Sequence, residues 1–409
     1  MNRPIAAYAA VTAAYWAFML TDGALRMLVL LHFHTLGFTP VQLAYLFVLY
    51  EIAGMVTNLS AGWIAARFGL SATLYAGLGI QVAALLALTQ LDPGWSVGLS
   101  VAYVMAVQGA SGVAKDLAKM SSKSAVKLLA PGTQGALFRW VAVLTGSKNA
   151  VKGLGFLLGA GLLGSFGFVP SVLGMAAVLA IILVVIVLAM PPGLPQGRKG
   201  AKFTEVFSRS SNINWLSAAR VFLFGARDVW FVVGIPIHFT AALAAYTDAR
   251  TAFFMVGGFM AAWTILYGVV QGMAPRLLRA ATRPEEVLIR AATSWAWGLA
   301  AIPLALGLAA MTSDGPWLTA ILVLGLWIFG AVFAVNSSLH SYLILAFSRA
   351  ERVTMDVGFY YMANAGGRLL GTLLSGLTYQ LGGLVLMLGA AAAMLALSAL
   401  FAARLRPMG

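Results

Sequence analysis

Apolar stretches long enough to cross a lipid bilayer recur along nearly the whole chain, separated only by short turns and charged loops. A crossing helix needs about 20 apolar residues, and a water-facing fold has nowhere to hide such runs in succession. The windows lie at about 7–33, 41–66, 72–91, 96–119, 136–164, 169–190, 212–239, 251–274, 288–311, 316–346, 353–380 and 383–403. Turn formers mark many joints, among them Pro40, Asp92-Pro93-Gly94, Pro131-Gly132 and Pro191-Pro192-Gly193. With 61% hydrophobic and only 9% charged residues in 409, the composition fits a bundle of spans and excludes a soluble domain. The first window follows a single basic residue, Arg3, and contains Asp22 and Arg26. A cleaved signal has a shorter apolar core without buried charge, so an uncleaved first span is expected.

Loop charge sets the orientation. With the N-terminus in the cytoplasm, about 18 Lys and Arg fall on the cytoplasmic side and only Arg250 outside, as the positive-inside rule requires. Twelve spans then place both termini in the cytoplasm, in a cell inner (plasma) membrane. The formal charge of +14 is spread through these loops instead of forming one stripe, which argues against nucleic acid as a partner. The absence of cysteine removes disulfides, thiolate metal sites and cysteine nucleophiles together. The four histidines are scattered, and no nucleophile–base pair stands out. Neither a metal, a cofactor nor enzymatic activity is expected. The chain is expected to act as a monomer among membrane lipids; a non-transporting lipid scramblase or assembly partner is disfavoured, since no soluble domain or long tail offers a docking surface.

The basic connection near the midpoint divides the chain into a first half at 1–190, a cytoplasmic loop at 191–210 and a second half at 211–409. The halves echo each other. Asp22 and His32 in span 1 are ten residues apart, as are Asp228 and His238 in span 7. Asn149 with Lys152 in span 5 has its counterpart in Asn364 with Arg368 in span 11. Such parallel repeats are those of a major facilitator. Spans 3, 6, 9 and 12, which face lipid in that fold, have no charge in their apolar centres. Gly62-Trp-Ile-Ala-Ala-Arg67-Phe-Gly69 resembles the superfamily's signature loop, with Ala66 where the motif has Asp. The expected fold is therefore an all-α membrane protein of major facilitator type, with twelve helices in two pseudo-symmetric six-helix halves.

Seven cations lie inside the spans: Arg26, Arg139, Lys148, Lys152, Arg220, Arg227 and Arg368. Each costs at least ~2.5 kcal/mol in hydrocarbon, so each should face a wet cavity or a partner. The acids read as intramembrane are Asp22, Glu51, Asp228 and Asp356. The surplus of positive charge suits an anion. Lys148 and Lys152 share one helical face, as do Arg220 and Arg227 two turns apart. Arginine adds bidentate bonds to phosphate-like groups. The expected substrate contacts are Arg26, Lys148, Lys152, Arg220, Arg227 and Arg368, with Asn149 and Asn364 beside them. Asp22, Glu51, Asp228 and Asp356 are the expected gating or coupling residues, Glu51 as a fixed partner for a cation or alternatively a proton site, and Asp356 in a gate ion pair in preference to proton coupling. Asp228 is expected to neutralise Arg220 or Arg227 from a neighbouring helix, and Arg26 either to pair within or between helices or to contact substrate. Arg139 is expected at the interface. Lys115, Lys119, Lys123 and Lys127 repeat every four residues, as a headgroup-anchoring stripe would or, alternatively, a funnel for anions. Glycine pairs at 155/159, 268/272 and 367/371 are expected to allow close helix contact.

Three strings are more particular: Thr21-Asp-Gly-Ala-Leu-Arg-Met-Leu-Val-Leu-Leu-His-Phe-His-Thr-Leu-Gly-Phe38, Ala114-Lys-Asp-Leu-Ala-Lys-Met-Ser-Ser-Lys-Ser-Ala-Val-Lys127 and Leu144-Thr-Gly-Ser-Lys-Asn-Ala-Val-Lys-Gly153. They resemble the ArsJ-type organoarsenical efflux permeases, and the resemblance extends over essentially the whole chain. It implies export of 1-arseno-3-phosphoglycerate, the ester made when glyceraldehyde-3-phosphate dehydrogenase uses arsenate in place of phosphate, and hence arsenate resistance. An organophosphate–phosphate exchanger would use the same cations. A drug–proton antiporter is disfavoured by the excess of bases over acids.

Overall fold

The computed structural model describes the backbone of residues 3–125, 134–190, 208, 210–278, 283–348 and 353–407, and the side chains among these outside 3–8, 61–62, 65–66, 123–125, 134–146 and 353–355. Every described element is helical: α1 Arg3–Thr35, α2 Pro40–Tyr45, α3 Val48–Phe68, α4 Leu70–Leu88, α5 Val97–Ala125, α6 Gln134–Phe166, α7 Phe168–Ala189, α8 Ser211–Phe231, α9 Gly234–Leu243, α10 Ala249–Leu278, α11 Glu285–Thr312, α12 Gly315–Phe347 and α13 Val353–Ala402. Among the described residues, eleven stretches are long and apolar enough to cross a membrane, and one of them, Asp356–Ala402, has 47 residues. It breaks at Gly382 and Gly383, where Gly383 takes φ 57, so it makes two crossings and brings the number to twelve. A side chain would strain that left-handed backbone. Gly69, at φ 80, turns α3 into α4 in one residue within the signature-like loop.

Two crossings are broken inside the apolar zone, where free backbone groups need internal partners. Span 7 is interrupted at Val232 and Val233, ahead of Pro236, which has no amide hydrogen to donate. Ser375 of α13 accepts from the Val233 amide at 3.3 Å and the Gly234 amide at 3.1 Å. Span 2 is interrupted at Leu46 and Phe47; its short first piece starts at a Thr39–Gln42 capping box with Pro40 in the first turn.

Glycines set the closest helix contacts. A Cβ on Gly155 or Gly159 of α6 would strike the backbone of α1 at Leu20 or Ala24; one on Gly367 or Gly371 of α13 would strike α8 at Val221 or Gly225. These two contacts correspond between the halves, span 1 on span 5 and span 7 on span 11. Gly272 departs from expectation: nothing lies within 4 Å of its Cβ position, so it is not a packing face. Between the halves, α6 packs on α10 and α3 on α13. Near the α1–α2 turn, Gln380 accepts from the Val41 amide at 3.2 Å, and Gly376 rests on Pro40.

Candidate functional site

The glycine contacts bring the buried charges together. Lys152 of α6 meets Asp22 of α1 at 2.7 Å, and Tyr50 of α3 donates to the other Asp22 oxygen at 2.6 Å. In the second half Arg368 of α13 meets Asp228 of α8 at 3.2 Å. The Asp–cation echo read from the sequence is thus a matched ion pair in each half. Asp228 also binds Arg227, the residue before it, at 2.5 Å. Asp228 thus neutralises one of the two span-7 arginines, as expected, but from within its own helix, and it reaches a neighbouring helix through Arg368.

Glu51 joins the halves. Its Oε1 accepts from Arg26 of α1 at 3.0 Å and from Arg368 of α13 at 2.7 Å, and the residue is fully buried. Arg26 therefore pairs between helices, with Glu51 and not with Asp22, and its guanidinium lies 5.0 Å from the Phe47 ring and 5.2 Å from the Tyr50 ring. Glu51 is a cation partner, as expected, but of two cations at once. A continuous chain of charge runs Arg26–Glu51–Arg368–Asp228–Arg227. Attraction across such short gaps in a dry interior offsets the desolvation of each ion only while the partners stay in place.

Asp116 is a fifth buried acid, beyond the four expected from the sequence. It lies on α5, 1% exposed, between Lys115 at 3.9 Å and Lys119 at 2.9 Å, and accepts from Thr57 at 2.7 Å. Lys119 also donates to Asn58 at 2.6 Å, and Lys115 sits 4.0 Å above the Tyr50 ring. Gly112, pressed on the Tyr50 backbone, brings α5 this close to α3. Lys115 and Lys119 are therefore interior residues and not a headgroup stripe; the side chains of Lys123 and Lys127 lie outside the described residues. Span 4 joins spans 1, 2, 5, 7 and 11 as a carrier of buried charge.

The remaining candidates divide. Arg220 of α8 donates to Asn364 Oδ1 and to the Ser337 carbonyl, both at 2.9 Å. Asn149, the counterpart of Asn364, instead donates to Gln271 of α10 at 3.0 Å, so the echo ends there. Lys148 is half-buried one turn before Lys152 on α6. Asp356 is buried near the start of α13, and its Oδ1 finds no hydrogen-bond partner among the described residues. The Arg139 side chain is outside the described residues. His32 stacks on Phe168 at 4.1 Å and His238 approaches Tyr379 at 3.5 Å, both away from the charge chain. Among the described residues no group of His, Asp and Glu has the spacing of a metal site. Leaving aside charges in the terminal turns of α10 and α11, the described crossings hold the cations Arg26, Lys115, Lys119, Lys148, Lys152, Arg220, Arg227 and Arg368 against the acids Asp22, Glu51, Asp116, Asp228 and Asp356.

This architecture is the major facilitator fold, and the chain is a multi-pass membrane protein. It is similar to a crystal structure of a mutant of the nucleoside transporter NupG, with TM-score 0.71 and 15% identity over 98% of each chain. It is similar also to a structure described under substrate recognition in proton dependent oligopeptide transporters, with TM-score 0.70 and 13% identity, again over 98% of each chain. At this identity the likeness carries the fold alone. No family model matches the sequence, and no curated protein matches it.

Proposed function

We propose that the protein is a membrane transporter that exports an organic oxyanion by alternating access of its two halves around the buried charge cluster. The observation that carries this reading is Glu51, a carboxylate held between Arg26 of the first half and Arg368 of the second. An anion is thus already bound where the halves meet, among cations that outnumber acids. A substrate oxyanion would compete for the same guanidinium groups, and taking them from Glu51 would loosen the link between halves. Both structural neighbours are described as transporters, in keeping with this reading.

The cargo we propose is 1-arseno-3-phosphoglycerate, produced by glyceraldehyde-3-phosphate dehydrogenase from arsenate, with arsenate resistance as the outcome. The arsenic rests on the three sequence strings; the charge accounts only for an anion with several negative oxygens. Orientation with both termini in the cytoplasm of a plasma membrane, and action as a monomer of two halves at 1–190 and 211–409, belong to the same proposal. With the cytoplasm negative, expulsion is favoured by about 2.3 kcal/mol per charge per 100 mV. Uniport or anion exchange therefore suffices without proton coupling.

The test is arsenate tolerance in arsenate-sensitive cells expressing the protein with and without the dehydrogenase. Tolerance that needs both is expected. Uptake of glycerol phosphate with no change in tolerance would point to an organophosphate–phosphate exchanger. Unchanged transport by both Lys148→Ala and Arg227→Ala would overturn the site.

A further inference from the structure

We infer that Arg220 anchors a separate oxyanion subsite within the second half, one that takes a terminal phosphate-like group of a substrate with two anionic ends. The inference rests on the anion-transporter reading and adds a place and a set of donors to it.

Arg220 is 4% exposed on α8, two turns before Arg227. Arg26, Arg227 and Arg368 each hold a carboxylate. Arg220 holds none among the described residues: its contacts are Asn364 Oδ1, the Ser337 carbonyl, the Phe224 ring at 3.8 Å and the Tyr360 ring at 5.0 Å. Those bonds use two of its five N–H groups. The same region gathers buried polar side chains with no partner. Asn336 and His340 of α12 are fully buried, and among the described residues neither the Asn336 amide atoms nor the His340 ring nitrogens find a hydrogen-bond partner. They stand one turn apart on one helical face, and Asn336 directly precedes Ser337, whose carbonyl Arg220 grips. Buried polar groups are ordinarily paired, and several unpaired ones around one uncompensated guanidinium point to a ligand.

The chemistry matches a tetrahedral oxyanion. A guanidinium fork supplies charge and parallel donors, and the Asn336 amide and a neutral imidazole N–H add donors without adding charge. The subsite differs from the Glu51 cluster in one decisive way: no internal carboxylate has to be displaced before an anion enters. A substrate with two anionic ends would place one end here and use the other to displace Glu51.

The experiment measures binding of inorganic phosphate and of 3-phosphoglycerate to the purified full chain by calorimetry, with thermal unfolding in parallel. Asn364→Asp puts a carboxylate at the atom that already accepts from Arg220 at 2.9 Å. We expect it to unfold no earlier than wild type and to bind phosphate at least about 30-fold more weakly, about 2 kcal/mol. His340→Gln and Asn336→Leu, which leave Arg220 in place, should weaken phosphate binding by about 5-fold or more, the effect of a lost hydrogen bond to a charged group. Wild-type phosphate affinity in folded Asn364→Asp, or in both α12 variants, overturns the subsite. If Arg227→Gln abolishes binding while these variants do not, the subsite fails and the transporter reading stands. If wild type binds neither probe and moves no anion in vesicles, the transporter reading fails as well.

Discussion

Replacing Glu51 with Gln removes one negative charge from the meeting point of the halves and little else. Both guanidinium groups bond to Oε1, while Oε2 has no hydrogen-bond partner. A glutamine can place its carbonyl oxygen at the Oε1 position and keep both hydrogen bonds. The loss is therefore electrostatic. At about 4 Å between charge centres and an effective dielectric of ~20, each attraction is worth about 4 kcal/mol. Relief of the carboxylate's own desolvation offsets several kcal/mol of that sum. Arg368 keeps a carboxylate, Asp228 at 3.2 Å, whereas Arg26 keeps only the neutral glutamine oxygen and the Phe47 and Tyr50 rings. A net destabilisation of about 3 kcal/mol follows, at the lower end for a buried pair that loses one partner. The same change should raise anion affinity, because the substrate no longer competes with an internal carboxylate. We expect phosphate and 3-phosphoglycerate to bind about 10- to 100-fold more tightly, or about 1.4–2.8 kcal/mol, and to raise the unfolding temperature of Glu51→Gln more than that of wild type. Calorimetry and thermal unfolding in detergent measure both. An unchanged or weaker affinity in the folded variant would refute the competition argument.

Three further predictions rest on separate features. Gly367→Ala drives a methyl group into the Val221 backbone and should cost about 1–3 kcal/mol, whereas Gly272→Ala, with open space around it, should be neutral or slightly stabilising; thermal unfolding separates them. Asp248 accepts from the Thr251 amide at 2.6 Å at the start of α10, and this bond holds its carboxyl below the usual range. Its contribution to stability is therefore present above the unfolded carboxylate value of ~3.9 and lost as pH falls through the lower folded value; Asp248→Asn should flatten that part of a stability–pH curve. The cysteine-free chain allows direct topology mapping. Tyr246→Cys should react with an impermeant maleimide on intact cells, and Glu286→Cys only after permeabilisation; the reverse pattern would invert the orientation.

The crossings were legible because a bilayer imposes one length and one composition on each of them. The charge-free spans and the Asp22/Asp228 and Lys152/Arg368 echoes were legible too, since a duplicated half repeats its chemistry at the same spacing. What the sequence could not supply was the choice of partner. Asp22 and Arg26 stand one turn apart, yet each reaches to another helix, Asp22 to Lys152 and Arg26 to Glu51. Lys115 and Lys119 illustrate a second limit: a four-residue spacing defines a face but not whether it turns inward, and Asp116 between them was overlooked with the stripe. That no described carboxylate reaches Arg220 is likewise a tertiary fact, set by which side chains of α12 and α13 reach α8. Asn149 and Asn364 match in sequence and differ in role, because one meets α10 across the halves and the other meets α8 within its own half.

The most direct measurement follows arsenic into inverted membrane vesicles supplied with arsenate, glyceraldehyde-3-phosphate, the dehydrogenase and its nicotinamide cofactor. Arsenic accumulation should require both the protein and the complete dehydrogenase reaction, and should be lost in Arg227→Ala. Equal accumulation without the protein, or with arsenate alone, would contradict it.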